Sequence, residues 1–444
     1  MYTTVVRRAQ ENRFAALALA ALLLVLLLVL LPTQRAAAHP TGSTGVFLTV
    51  RQDAVDVKMQ IQKAGFVAAT GYDIATEQSE LDAISDNLMS FLLNRVHLSD
   101  EQGALTAAVL EKPVFATVND EDAIETTLRF TADRALEGAL VFSDDFIIDV
   151  VPSHQVYVAL VSDWDDGQIA EGDPQVIGVL GGGVTQLTWE RSDTNPLHGL
   201  VAVIRLGMLH IAEGTDHLLF LTTLLIVAPS LATRARRGWR WQQPIPVKKT
   251  VGRAALTITA FTVGHLITLA LVSLGLISFP EKPVEILVAV SIAVAAAHAL
   301  KPLLPRGELL IAGVFGLVHG TAFATTILEL NLGFGETLVA IVGFNVGVEL
   351  AQLIAAVLVL PLLIWLSHAR AFAGFRTAVA IAAILAAAAW IGGILTDQDS
   401  VLQPVFTEIA SFPVVSYLLL VTLVAALWYF TRTPASSRRI EVGR

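Results

Sequence analysis

From Leu197 onward the chain is built of seven long apolar runs, at 198–229, 253–278, 284–300, 307–329, 336–366, 375–395 and 411–431. About 20 apolar residues in a helix cross a bilayer, and lipid offers a backbone no hydrogen-bond partner but itself. Such runs must fold as helices, so the spacing predicts an all-α membrane bundle of about seven transmembrane helices. The third run is short and the fifth long, which calls for tilt or a re-entrant piece. Composition agrees, with 54% hydrophobic and only 15% charged residues, too apolar for a soluble chain.

The loops between the runs carry an orientation. Arg234, Arg236, Arg237, Arg240, Lys248, Lys249 and Arg253 crowd the first loop, Lys301 and Arg306 the third, Arg370 and Arg376 the fifth. Arg432, Arg438 and Arg439 fill the tail, while the alternate loops hold Glu281 with Lys282, then Glu336, then Asp397, Asp399 and Glu408. Every basic loop therefore falls on one side, which the positive-inside rule assigns to the cytoplasm. The N-terminus points the same way. Arg7, Arg8 and Arg13 precede an apolar run ending at Leu31 and a small-residue site, Ala36-Ala37-Ala38, the pattern of an export signal or an uncleaved anchor. His39 would then begin the mature chain, with its amino group and imidazole placed to chelate a metal.

Between these parts lies an acidic, β-rich stretch. VFLTVRQDAVDVKMQIQ alternates on both sides of Gln52-Asp53, a hairpin signal. Leu81, Ile84, Leu88, Phe91 and Leu92 have helical spacing. The segments ETTLRFTA, GALVFSDDFIIDVV and HQVYVALVSD read as strands, so a small sandwich-like domain of about seven strands with one inserted helix is expected. Its acidic loop, Ser162 to Asp173, can attract cations. The expected division is a signal at 1–38, an extracytoplasmic β-rich domain at 39–195, a seven-span domain at 196–432 and a cytoplasmic tail at 433–444. A multi-pass protein of a bacterial-type cytoplasmic membrane is expected, with membrane lipid around it and no nucleic-acid partner.

Ionisable residues inside the spans are costly and point to function. At about 1.5 Å per residue, His210, His265, His319 and Glu349 lie some 12 or 13 residues into their spans, near mid-membrane. At about 100° per residue, His210, Glu213 and His217 share one arc of the first span, and Asp216 lies further round unless Gly214 loosens the helix. Histidines with carboxylates suit divalent Ni²⁺, Co²⁺ or Zn²⁺, and the absence of Cys with only 4 Met disfavours Cu⁺. The expected metal residues are His210, Asp216, His217, His265, His319 and Glu349. Secondary candidates are Glu213, Glu285 at the outer mouth, His298 as a gate or exit residue, and Asn345 and Gln352 as hydrogen-bonding supports. A faint repeat accompanies them. Gly207-x-x-His210 pairs with Gly316-x-x-His319, and Phe261-x-x-Gly264 with Phe344-x-x-Gly347, as in transporters built from inverted repeats.

These motifs resemble the HupE/UreJ family of membrane proteins. His210, Asp216 and His217 meet its His-x5-Asp-His signature, and FTVGHLITLAL, VEILVAVSIAV, FGLVHGTAFA and FNVGVELAQL follow as further blocks of its longer branch. Leu266 stands where the resemblance leads one to expect serine. The resemblance implies uptake of nickel or cobalt by a secondary transporter, since no phosphate-binding loop for ATP is present. Two other readings stay open. One is a seven-span zinc hydrolase like the alkaline ceramidases, with three of the four histidines as ligands and Asp216 as base. The other is a membrane assembly factor or sensor whose outer domain binds a protein partner.

Overall fold

The computed structural model describes residues 43–431, except 73–76, 119–120, 152, 171–173, 192–194, 237, 243, 331, 397, 399–401 and 403–411. The expected export segment, His39, the tail, Arg237, Asp397, Asp399, Glu408, Arg432 and the last residues of the acidic loop lie outside the described residues.

The first half is a mixed β domain. β1 (Ser43–Val50) and β2 (Ala54–Gln62) form the expected hairpin, closed by Arg51 N donating to Ala54 O at 2.7 Å. The main sheet also takes in β5 (Thr106–Val118), β6 (Glu121–Thr131), β8 (Gln155–Asp163), β9 (Gln168–Ile169) and β10 (Gln175–Leu180), in the order β10-β8-β1-β2-β6-β5 with β9 beside β8. Only β1 and β8 run parallel in it. A second sheet orders β11 (Gln186–Trp189), β7 (Leu140–Asp144), β3 (Val96–Asp100) and β4 (Gly103–Ala104). Two helices accompany them, α1 (Lys63–Thr70) and α2 (Gln78–Leu93). Leu81, Leu88 and Leu92 of α2 share one core with both sheets, including Val57, Ile61, Leu98 and Phe142. The expected strand count was low because β4, β9 and β11 run only two to four residues and because β5 reads poorly. It is an edge strand with two irregularities of register and Pro113 inside it, a position that tolerates proline because no neighbour needs its N–H.

Helices occupy all seven apolar runs. α3 (Pro196–Glu213) opens with Asn195 accepting from Leu197 N at 2.9 Å and with proline at its first position, both favourable at a helix start. It breaks at Gly214, and α4 (Thr215–Leu225) leaves at 73° to it. A hairpin of β12 (Leu231–Ala235) and β13 (Gly238–Gln242) follows within the first basic loop. Next come α5 (Val247–Ser273), α6 (Glu281–Leu300), α7 (Gly307–Ala322), α8 (Ala324–Glu329), α9 (Phe334–Leu366), α10 (Phe372–Thr396) and α11 (Pro413–Thr431). Five of these are long and apolar enough to cross a membrane, and the bent α3–α4 pair makes up to six. The fourth run is the short apolar α7 followed by α8.

The faint repeat is the framework of the bundle. A Cβ on Gly207 of α3 would lie 2.1 Å from Phe344 O of α9, and one on Gly347 of α9 would lie 2.0 Å from Ile204 O. The pair α5–α7 repeats this. Gly316 would meet Phe261 O at 2.1 Å, and Gly264 would meet Gly313 O at 2.3 Å. Glycine at these four sites lets the backbones touch, as small residues do in membrane helix pairs. Both Gly-x-x-His helices also break four residues beyond the histidine, at Gly214 and at Phe323.

The β domain sits at one end of this bundle. Trp164 packs with Val203 and Ala340, and Ser162 Oγ donates to Leu330 O at 3.3 Å. The β12–β13 hairpin sits at the other end, where Trp241 Nε1 donates to Ala299 O at 3.0 Å.

Candidate metal centre

The helix break decides which residues of the first span meet. On a continuous helix Glu213 would join His210 and His217 while Asp216 pointed away. Gly214 instead adopts φ −68° and ψ 101°, which swings Asp216 into the first turn of α4. The break at Gly214 thus sets Asp216 against His217, and Glu213 is exposed.

Five of the expected residues come together. Ligand atoms of His210, His217 and His265 lie within 4.8 Å of one another, and so do those of Asp216, His217 and His319. His217, His265 and His319 are buried. His210 packs against Phe323 with the ring centroids 4.1 Å apart and the planes tilted by 48°. His217 belongs to both groups, so the two form one centre fed by α3, α4, α5 and α7.

The hydrogen bonds around the rings say which nitrogens are bare. Asn345 Nδ2 donates to Ile341 O at 2.8 Å, which turns its Oδ1 to His265 Nδ1 at 3.0 Å. That nitrogen must carry the proton, and His265 Nε2 is left as a buried lone pair with no hydrogen-bond partner. Ser291 Oγ spends its proton on Val288 O at 2.6 Å and so accepts from His319 Nε2 at 3.1 Å. His319 Nδ1 then carries the lone pair. His217 Nδ1 donates to Asp216 Oδ1 at 2.9 Å, leaving His217 Nε2 as an acceptor. The bare nitrogens of His217 and His319 face each other at 3.3 Å, with Asp216 Oδ2 3.7 Å from His319. His210 Nε2 is likewise buried without a partner. Rings tied off on their outer nitrogen and bare on the inner one are the arrangement of metal-ligating histidines. Two nitrogens at about 3.3 Å also match the edge of a tetrahedron with metal–nitrogen bonds of about 2.0 Å.

The other candidates lie apart. Glu349 is half-buried, and its Oε1 accepts from Thr259 Oγ1 at 2.7 Å. Its depth is near that of the cluster, but its angle differs. In the repeat Val348 matches His265, so Glu349 stands one residue, about 100°, round the helix. Glu285 is half-buried near the start of α6. His298 is buried beside Trp241 at 5.2 Å, and its Nδ1 accepts from Leu303 N at 3.1 Å. With that lone pair taken, the N–H of His298 is at Nε2. Asn345 is the support expected, acting on His265 rather than Glu349. Gln352 is buried, with Oε1 unbonded. Ser291, which holds His319, was not anticipated; its only signal is a lone hydroxyl in the apolar run VAVSIAV.

No curated protein matches the chain. Residues 186–394 match the family model described as HupE / UreJ protein.

Proposed function

With residues 186–394 forming a HupE/UreJ family domain, of a family known as nickel and cobalt transporters, we propose that this protein is a secondary permease for a divalent transition-metal ion. Nickel or cobalt is the substrate. The observation that carries this reading is the set of buried histidine nitrogens, bare on their inner side and hydrogen-bonded on their outer side. Imidazoles and Asp216 replace part of the ion's water, and the breaks at Gly214 and Phe323 allow the half-helices to shift around the site. The metal-binding residues are His210, Asp216, His217, His265 and His319.

The β domain and the basic hairpin stand at opposite ends of the bundle, which supports an extracytoplasmic β domain (39–195), a membrane domain (196–432) and a cytoplasmic tail. The ion then enters from the β-domain side. Metal and protons compete for the same imidazoles, so proton counterflow is the coupling. The family match favours transport over the hydrolase and assembly-factor readings.

Uptake of Ni²⁺, Co²⁺, Zn²⁺ and Cu²⁺ into proteoliposomes, with wild type and His265→Ala, tests the reading. Wild type takes up Ni²⁺ or Co²⁺ and the variant does not. Equal uptake by both would refute it.

A further inference from the structure

A second buried polar group lies at the far end of the same helices. Arg253 of α5 is 12 residues before His265, and Glu308 of α7 is 11 before His319, so both lie about 17 Å from the cluster. Arg253 donates to Glu308 Oε1 from Nε at 3.0 Å and from Nη2 at 2.5 Å, and from Nη1 to the carbonyl of Ser230 just beyond α4. Glu308 Oε2 is buried and makes no hydrogen bond, with His298 Nε2 3.7 Å away.

A small cavity lies between this pair and two phenyl rings that pack on the cluster. It is lined at one end by Phe220 and Phe261, whose rings pack on His319 at 5.5 and 5.4 Å, and at the other by Arg253 and Glu308. Its free volume of about 10 Å³ is about what one water needs. Gln352 lines it too, with its buried Oε1 unbonded. Asn345 meets His265 and Glu349 meets Thr259, so α9 descends antiparallel to α5 and Gln352 stands between the two levels.

We propose that Glu308 is the release site for the transported divalent cation, with Gln352 the step between it and the histidines. The Arg253 guanidinium shuts the path by occupying Glu308 in the ion's place. This rests on the permease reading above. An ion leaving the histidines needs compensating oxygen atoms in an apolar passage, and Gln352 Oε1 and Glu308 Oε2 are the two unbonded acceptors lining it. Oxygen donors hold nickel or cobalt less firmly than imidazoles do, so the ion is handed from a tighter site to a looser one. A guanidinium and a divalent ion cannot share one buried carboxylate without strong repulsion. Arrival of the ion therefore frees Arg253, and with it the Ser230 end of the segment that carries His217. His298 is a positioning residue, since its neutral ring turns an N–H and not a lone pair to Glu308.

The test is equilibrium Co²⁺ binding to the purified full-length protein, with uptake measured on the same preparations. Wild type binds one Co²⁺. Arg253→Gln gains a second, weaker equivalent, and Arg253→Gln with Glu308→Gln loses it again while keeping the first. If Arg253→Gln binds only one, or the second survives Glu308→Gln, the proposal is wrong. Should Arg253→Gln fail to fold, Glu308→Gln alone decides. Uptake must fall at least tenfold with the one Co²⁺ equivalent retained, and unchanged uptake overturns the release site. A wild type that binds no Co²⁺ contradicts the histidine centre instead, and the gain in Arg253→Gln still decides for or against Glu308.

Discussion

The β domain and the membrane core treat buried polar groups in opposite ways. In the β domain, Asp56 accepts from Arg51 and from Arg129, the latter at 2.6 and 2.8 Å. Asp163 takes a two-pronged bond from Arg191 at 2.6 and 2.8 Å, with both side chains almost fully buried. Arg134 closes on Asp100 in the same way. In the membrane core the donors of the histidine rings are spent outward, on Asn345, Ser291 and Asp216, and the lone pairs are left facing one another. Burial makes an unmatched acceptor costly, so a folding-optimised core would not be arranged this way. The first pattern holds a structure together, and the second is one that could hold a metal ion.

The largest effect that sharpens this contrast comes from the β domain. Arg191→Ala leaves Asp163 charged and buried, and thermal unfolding should show a loss of about 3–5 kcal/mol. Co²⁺ binding by the fraction that stays folded should not change. A loss under 1 kcal/mol would mean that the pair is not structural.

Asp144 gives the next effect. Burial pushes its carboxyl up to about 6 from 3.8, offset in part by the bond from Phe146 N. The folded value exceeds the unfolded one, so the fold favours the protonated acid. Its contribution is complete below about pH 4 and is lost as pH rises through 6, by about 3 kcal/mol over the two units. Unfolding measured between pH 4 and 7 should show this slope in wild type and a flatter one in Asp144→Asn. Identical slopes would remove Asp144 from the account.

In the core, Asn345→Ala removes the group that fixes the His265 ring and should weaken Co²⁺ binding about 10–100-fold, with little change in unfolding. A stability loss without a binding loss would make Asn345 an ordinary core residue. The smallest effect belongs to Glu349. Glu349→Gln should alter Co²⁺ affinity by no more than about twofold, because its carboxylate bonds Thr259 outside the cluster. A tenfold loss would bring it back into the centre.

Depth was legible in the sequence because it depends only on where the apolar runs begin and on the rise of a helix. His210, His265 and His319 were placed together on that ground. Angle was less so, because one helix break, which Gly214 allowed for but did not guarantee, or a shift of one residue changes it completely. Gly214 exchanged Glu213 for Asp216, and one position round α9 separated Glu349 from the histidines. The four glycine contacts that set both helix pairs were visible as a weak repeat, and their meaning came only with the backbones in contact. The hairpin β1–β2 and helix α2 were legible from clean alternation and spacing, whereas β5, an edge strand with Pro113, had neither. Ser291 and the Arg253–Glu308 pair depend on helix neighbours that a single sequence does not disclose.

The central claim is that the inward nitrogens of the clustered histidines ligate the transported ion. X-ray absorption at the cobalt edge of the Co²⁺-loaded protein tests it directly. The account predicts three or more imidazole nitrogens at about 2.1 Å in wild type, and one fewer in His319→Ala. A first shell of oxygen atoms alone, or a spectrum unchanged in His319→Ala, would contradict it.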